Sequence, residues 1–185
     1  GTRAKVEFEI EDRVEGQKLI KEVVDEMERI NQSMSPFIET SELTKINQQA
    51  AKAPLKISKE LFKLLYESQK YSELTNGAFD ISFSSVGYLY DYRSSQKPTE
   101  SQLSKLKSAI NYRKIKLDRG NQTVFFEDKR VKIDLGGIAK GYAVDQCIRL
   151  LQKAGVINGF VNAGGDSRLI GKRSEEHTSE LQSRP

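Results

Sequence analysis

The sequence predicts an α+β chain, in which mixed and antiparallel sheets carry packed helices. Three observations point there. Apolar residues alternate with polar ones at period two near 4–11, 112–117, 123–126 and 131–135. Other stretches carry apolar residues at helical spacing, at 17–34, 58–74 and beyond 137. The last three strand-like runs are joined only by Asp118-Arg119-Gly120-Asn121 and Asp128-Lys129, so they read as an antiparallel meander.

Composition sets bounds on function. A chain of 185 residues suits one domain, or a domain plus a fragment. With 37% hydrophobic and 30% charged residues, a packed core is possible but not large. The net charge is +4, and Lys and Arg alternate with Glu and Asp instead of forming a block. That pattern is a solvated surface and argues against nucleic-acid binding. No apolar run approaches the roughly 18 residues of a membrane span. The one cysteine, Cys147, excludes an internal disulfide. Its place on the apolar side of a helix makes it a core residue in preference to a nucleophile.

In chain order, Val6, Phe8 and Ile10 alternate with charged residues as a half-buried strand that Gly16 ends. Leu19, Ile20, Val23, Val24, Met27 and Ile30 then give one face of a helix to about Met34, stopped by Pro36. Phe37 follows, either as a core residue, the default, or as a stacking surface for a flat ring. Ser41 caps a short helix with Leu43 and Ile46 inward, and residues 54–57 are a short extended piece. Ser58 caps the next helix, which ends at Thr75-Asn76-Gly77, where glycine suits the left-handed position.

Residues 78–82 leave that helix as a strand. Asp80 interrupts its apolar run, either for a function or to bond amides of the turn. Residues 84–98 read as a long surface loop, in which Tyr88, Tyr90 and Tyr92 line a ring-binding cleft or form a short buried strand. Thr99 and Gln102 make a capping box, with Leu103, Leu106 and Ile110 as the inner face of its helix. After the meander a helix runs from the glycine turn to about Ala154. A final strand at Phe160-Val161 ends in Gly164-Gly165, a plain hairpin turn or a second place that presents amides to an anion.

The chain is organised around residues 131–145. A strand passes through Gly136-Gly137 into a helix, which aims free backbone N–H groups and the positive end of a helix dipole at one spot. Asp134 can offer oxygen to a hard cation or a sugar hydroxyl, and Lys140 in the first turn can reach a phosphate. This suits a nucleotide diphosphate with a divalent metal. The competing reading is a βα turn whose glycines only permit packing, since the run is not a standard phosphate-loop pattern.

Three separated stretches stand out together: Thr75-Asn76-Gly77-Ala78-Phe79-Asp80-Ile81-Ser82, Asp134-Leu135-Gly136-Gly137-Ile138-Ala139-Lys140-Gly141-Tyr142-Ala143-Val144-Asp145 and Val161-Asn162-Ala163-Gly164-Gly165-Asp166. In order and spacing they resemble the signature blocks of the ApbE family of FAD:protein FMN transferases. Gly1-Thr2 resembles the end of an opening Met-Gly-Thr. Met34-Ser35 with Phe37, and Ser41-Glu42-Leu43 with Asn47, resemble the next block. The resemblance covers the chain to about Lys172.

The resemblance implies an ApbE-like (T-fold-like) single domain with FAD in a cleft. It implies transfer of FMN to a Thr hydroxyl of an acceptor protein, release of AMP and a requirement for Mg²⁺. Ala78, Phe79, Asp80, Asp134 and Lys140 are then flavin contacts, Phe37 lies against the flavin, and Gly137 offers its backbone carbonyl to the metal. The amides at Gly136-Gly137 and Gly164-Gly165 hold phosphate oxygens. The resemblance further implies an exported, periplasmic or surface lipoprotein that modifies a subunit of a membrane redox complex. Two rival readings are an FAD pyrophosphatase and a flavin-binding module without turnover.

The stretch 173–185 has no apolar period and resembles the conceptual translation of a sequencing adapter. The expectation is a flavin transferase domain at 1–172, incomplete at its carboxy terminus, followed by a non-native tail that includes the one histidine, His177. In the family the remaining metal ligands and the candidate base lie further along, so the catalytic residues are unknown here. The 185-residue chain is expected to bind Mg²⁺ poorly and to turn over slowly. Turnover at the rate of a longer relative would refute that.

Overall fold

The alternating amino-terminal run becomes β1 (Ala4–Phe8) in a computed structural model that describes residues 3–91, 94 and 97–171. Gly1-Thr2, Tyr92 and the stretch from Arg173, with His177, lie outside the described residues. The architecture is α+β, as expected: two small antiparallel sheets with helices. The chain divides into two compact units, one comprising residues up to Met27 and from Lys140, the other Glu28–Ala139.

In the first unit, β1 pairs with β5 (Gly159–Ala163), and β5 with β6 (Asp166–Ile170), all antiparallel. Ala4 lies opposite Ala163, which lies opposite Asp166. The β5–β6 connection is Gly164-Gly165, with φ of 60° and 98°. Two left-handed residues in succession match the twist of a two-residue hairpin, and glycine adopts them without Cβ strain. The unit's core joins Leu19 and Val23 of α1 (Arg13–Met34) to Val144, Cys147, Ile148 and Leu151 of α6 (Ala139–Lys153) and Val161 of β5. Those are the apolar faces that the helical spacing marks out.

The first helix begins earlier than expected, and Gly16 lies inside it. The Asp12 carboxylate accepts the N–H of Val14 at 2.7 Å and of Glu15 at 3.3 Å, which caps the helix four residues upstream of Gly16.

The second unit contains α2 (Glu42–Gln49), β2 (Leu55–Lys56), α3 (Lys59–Leu74), α4 (Ser84–Gly87), α5 (Glu100–Leu106), β3 (Ile115–Asp118) and β4 (Thr123–Phe126). Its sheet has the order β2-β4-β3. The expected caps are present. Ser41 Oγ accepts Thr44 N–H at 3.0 Å, Ser58 Oγ accepts Leu61 N–H at 3.2 Å, and Thr99 with Gln102 forms the reciprocal capping box. At the end of α3, Asn76 and Gly77 are both left-handed, and Gly77 N–H donates to Ser72 O at 2.7 Å. Two hydrogen bonds between residues distant in sequence tie helices to the sheet: Phe126 N–H to Ala50 O at 2.8 Å, and the Gln69 amide to Ile115 O.

Several expectations in this unit are corrected. Residues 78–82 are not a strand. Asp80 is extended, but its side chain accepts Ser82 N–H and so caps a 3₁₀ turn at Ile81–Phe83. The 84–98 loop opens with α4, whose Ser84, Ser85 and Val86 are buried. Leu103 and Leu106 are only half-buried and Ile110 is exposed, while Ala109 takes the interior position. Phe37 is 92% exposed, which overturns the default of a core residue.

The third meander strand is absent as a ladder. Val131, Ile133 and Leu135 are buried at 1%, 0% and 0%, so the alternation is real, but no strand is assigned there. Period two reports which face is buried. It does not report what satisfies the main chain.

Candidate functional site

Within the second unit, two of the expected site segments meet. Asp134 N–H donates to Ile81 O at 3.0 Å, which joins the 134–137 turn to the turn after α3. A Cβ placed on Gly137 would stand 3.3 Å from the Phe79 ring. Phe79 is itself held on two sides. Its N–H donates to Thr75 Oγ1 at 3.0 Å, and its ring meets that of Tyr71 edge-on at 6.2 Å.

The two carboxylates of this region differ in what they do. Asp80 Oδ1 accepts Ser82 N–H at 2.8 Å and Ser82 Oγ–H at 2.6 Å, and its Oδ2 accepts Tyr112 N–H at 2.8 Å. Ser82 Oγ in turn accepts Asn111 N–H at 2.8 Å. Asp80 therefore bonds amides of the turn, one of the two readings open to it from sequence. Asp134 is half-buried, and its Oδ1 accepts Gly136 N–H at 2.6 Å. Ala78, Gly136 and Gly137 are exposed.

The Gly136 contact refines the anion-site expectation. That N–H already has a carboxylate partner, so an incoming phosphate can use it only by displacing Asp134. The same holds at the other glycine pair, in the first unit: Gly164 N–H donates to Arg3 O at 3.0 Å. The Gly164-Gly165 turn forms the hairpin between β5 and β6. Lys140 Nζ lies 3.5 Å from Gly164 O and 4.0 Å from an Asp166 oxygen, with its side chain 42% exposed. Its ammonium is thus only loosely held by partners in its own unit.

No cluster of three His, Cys, Asp or Glu side chains that would hold a metal occurs among the described residues. Gly137 alone offers one carbonyl oxygen, whereas a hard divalent cation takes six or more oxygen ligands. The described residues do not fit a complete Mg²⁺ site. Among them, too, no helix is long and apolar enough to cross a membrane. An open groove of about 530 Å³ in the second unit is lined by Arg29, Thr40, Glu42, Lys45 and Lys56. None of the expected flavin contacts lines it.

From sequence, Asn47 stands in a block that carries the resemblance but is given no bonding role, and Ser85 is not singled out. Asn47 bonds both main-chain groups of Ile133, and Ser85 bonds both of Lys132. The available signal was polarity in the wrong place. Asn47 lies one turn after Leu43 on the inner face of its helix, and Ser85 sits among buried neighbours.

The chain matches the model of the ApbE family over residues 1–182, which runs through part of the stretch beyond Lys172. It is 30% identical over 166 residues to a protein of Haemophilus influenzae named FAD:protein FMN transferase, covering 86% of this chain and 48% of that one. A Chlamydia muridarum protein of the same name is 29% identical over 164 residues, at 85% and 49% coverage. The chain spans about half the length of the curated relatives it matches. Among solved structures, the flavin transferase ApbE of Vibrio cholerae superposes with a TM-score of 0.81 at 26% identity, over 92% of this chain and 56% of that one. The ApbE protein of Thermotoga maritima gives a TM-score of 0.80 at 29% identity, over 93% and 56%.

Proposed function

Because the chain belongs to the ApbE family, we propose that it is part of an FAD:protein FMN transferase. The reaction moves FMN from FAD to a Thr hydroxyl of an acceptor protein. The Thr oxygen attacks the FMN-side phosphorus, a new O–P bond forms, the pyrophosphate P–O bond breaks, and AMP leaves. The Thr proton goes to a base outside the described residues. Such a displacement needs positioning and charge stabilisation more than covalent work by the protein.

The observation that carries this reading is the meeting of two sequence blocks, 75–82 and 134–145, through the Asp134 N–H···Ile81 O bond and the Phe79 ring beside Gly137. It supports a flavin-facing surface made of Ala78, Phe79, Asp134 and the 136–137 turn, with the exposed Phe37 ring free to stack. Asp80 supports that surface from behind. Asp134 accepts from a hydroxyl of the flavin substrate, and as it turns away it frees Gly136 N–H for a phosphate oxygen. The resemblance alone makes Lys140 a further flavin contact. Mg²⁺ supplies Lewis acidity at the phosphates in this chemistry, but the described residues give it too few ligands, and no step here is routed through it.

The family resemblance also supports an exported, lipid-anchored protein acting on a membrane redox subunit. Fractionation of expressing cells tests this, and a purely cytosolic signal refutes it.

The activity is tested by mass spectrometry of a Thr-containing acceptor peptide after incubation with FAD, Mg²⁺ and the chain extended to the full length of its relatives. A mass gain equal to FMN, lost in Asp134→Ala, is expected. Free FMN and AMP without a labelled peptide would indicate an FAD pyrophosphatase instead. Intact FAD that nonetheless binds would reduce the protein to a flavin-binding module.

A further inference from the structure

Residues 131–135 deliver Asp134 to the glycine turn, yet no described strand pairs with them. Asp134 N–H bonds Ile81 O and Val131 N–H bonds Asp128 O, but the main chain of Lys132 and Ile133 between them is held by side chains. Asn47 Nδ2 donates to Ile133 O at 2.9 Å, and Asn47 Oδ1 accepts Ile133 N–H at 2.8 Å. One residue earlier, Ser85 Oγ accepts Lys132 N–H at 3.0 Å and donates to Lys132 O at 3.3 Å. The Lys132 ammonium bonds the main-chain carbonyl of Asn47. Burial lowers the pKa of that ammonium.

We propose that Asn47 and Ser85 are positioning residues for the flavin substrate: their side chains stand in for a neighbouring strand and set the place of Asp134 and the 136–137 turn. The inference rests on the flavin reading above. A carboxamide carries a donor and an acceptor on one planar group, so it can meet a peptide unit as another peptide would. Ile133 is wholly buried, so its N–H and C=O have no water to turn to if Asn47 is lost. A true strand would cover a long edge of the segment. Two side chains fix Lys132 and Ile133 and leave Asp134 half-exposed, which a ligand-facing carboxylate requires. Asn47 is rigidly placed for this task, since it lies on a helix capped by Ser41 and anchored by the buried Leu43 and Ile46.

The test uses the 185-residue chain and its variants, with FAD affinity read by flavin fluorescence and main-chain protection by amide hydrogen exchange. In Asn47→Leu, FAD affinity should fall about tenfold or more, and the Ile133 amide should exchange at least about tenfold faster while Val124 in the β4 ladder stays protected. Asn47→Asp keeps the acceptor for Ile133 N–H but loses the donor to Ile133 O. It should keep Ile133 protection and bind FAD with intermediate affinity. Ser85→Thr, which retains the hydroxyl, should bind better than Ser85→Ala.

Wild-type affinity in Asn47→Leu, or undiminished Ile133 protection, overturns the proposal. So does a loss of protection spread equally over Val124, which would make Asn47 merely a stability residue. If the wild-type chain itself fails to bind FAD, the flavin reading falls and the positioning role with it. The selective loss at Ile133 then still distinguishes that failure from an error in the clamp.

Discussion

Asp80 Oδ2 accepts the main-chain N–H of Tyr112 at 2.8 Å, across thirty-two residues, while its other oxygen holds Ser82. Among the described residues, the Asp134 side chain bonds only Gly136 N–H, two residues away. The two carboxylates should therefore separate in experiment. Asp80→Asn puts an amide N–H where one of these donors now points, and should cost about 2 kcal/mol of stability. Asp134→Asn should cost less than about 1 kcal/mol, yet weaken FAD binding about tenfold. Urea denaturation and FAD titration of both variants check this. Equal destabilisation would show that Asp134 is structural as well.

How much of this was legible in the sequence follows from what kind of force fixes each part. The helix caps at Ser41, Ser58 and Thr99 are local, and each was readable from its own few residues. The buried alternation of Val131, Ile133 and Leu135 was readable as a pattern too. What was hidden is what bonds that segment, because Asn47 and Ser85 come from distant helices and a periodicity carries no partner. Residues 78–82 were misread for a related reason: Asp80 competes for Ser82 N–H, and a local side-chain bond replaced the ladder. The signature blocks revealed the expected flavin contacts. They did not reveal that Gly136 and Gly164 already have partners for their N–H groups.

Gly136 and Gly137 are close-approach positions. A Cβ on Gly136 would stand 3.0 Å from Asp134 Oδ1, and one on Gly137 3.3 Å from the Phe79 ring. Gly136→Ala should push the Asp134 carboxylate off the Gly136 N–H, and Gly137→Ala should tilt the Phe79 ring against Tyr71. Both sites are exposed, so the melting temperature should change little while FAD affinity drops. Unchanged affinity in both would mean that this turn serves packing alone.

Phe37 offers the reverse of a core residue. At 92% exposure it contributes almost no burial, so Phe37→Ala should change stability by no more than about 0.5 kcal/mol. Stacking on a flavin would be lost, and FAD affinity should fall. Flavin fluorescence, quenched by a stacked ring in the wild type and recovered in the variant, separates this from an indirect effect.

Asp128 gives a pH signature remote from the flavin surface. The Arg130 guanidinium at 2.6 Å and the Lys114 ammonium at 2.8 Å hold its carboxyl well below the usual carboxylate value of 3.8. A depressed folded-state pKa stabilises the protein above the unfolded value, and that contribution is lost as the pH falls through the folded one. Asp128→Asn should be less stable than wild type by about 1 kcal/mol at pH 7. The gap should begin to close below about pH 4. A gap independent of pH would assign the effect to packing.

Cys147 titrates in the opposite direction. Burial in the core between α1 and α6, with Glu26 adding a smaller effect, pushes its thiol from 9.0 up to about 11, and its Sγ–H points at Val23 O. A folded-state pKa above the unfolded one means that the folded chain binds the proton more tightly. Its stabilising contribution is complete below pH 9 and is lost as the pH rises toward 11. Cys147→Ala leaves a small cavity and should be less stable at pH 8, by about 1 kcal/mol. That difference should shrink between pH 9 and 11, because only the wild type must then bury or neutralise a thiolate. A disulfide reagent at pH 8 should label the folded wild type at least about a hundredfold more slowly than the urea-unfolded chain, since both access and thiolate are withheld. Rapid labelling of the folded protein would place Cys147 outside the core and contradict the contact of its Sγ–H with Val23 O.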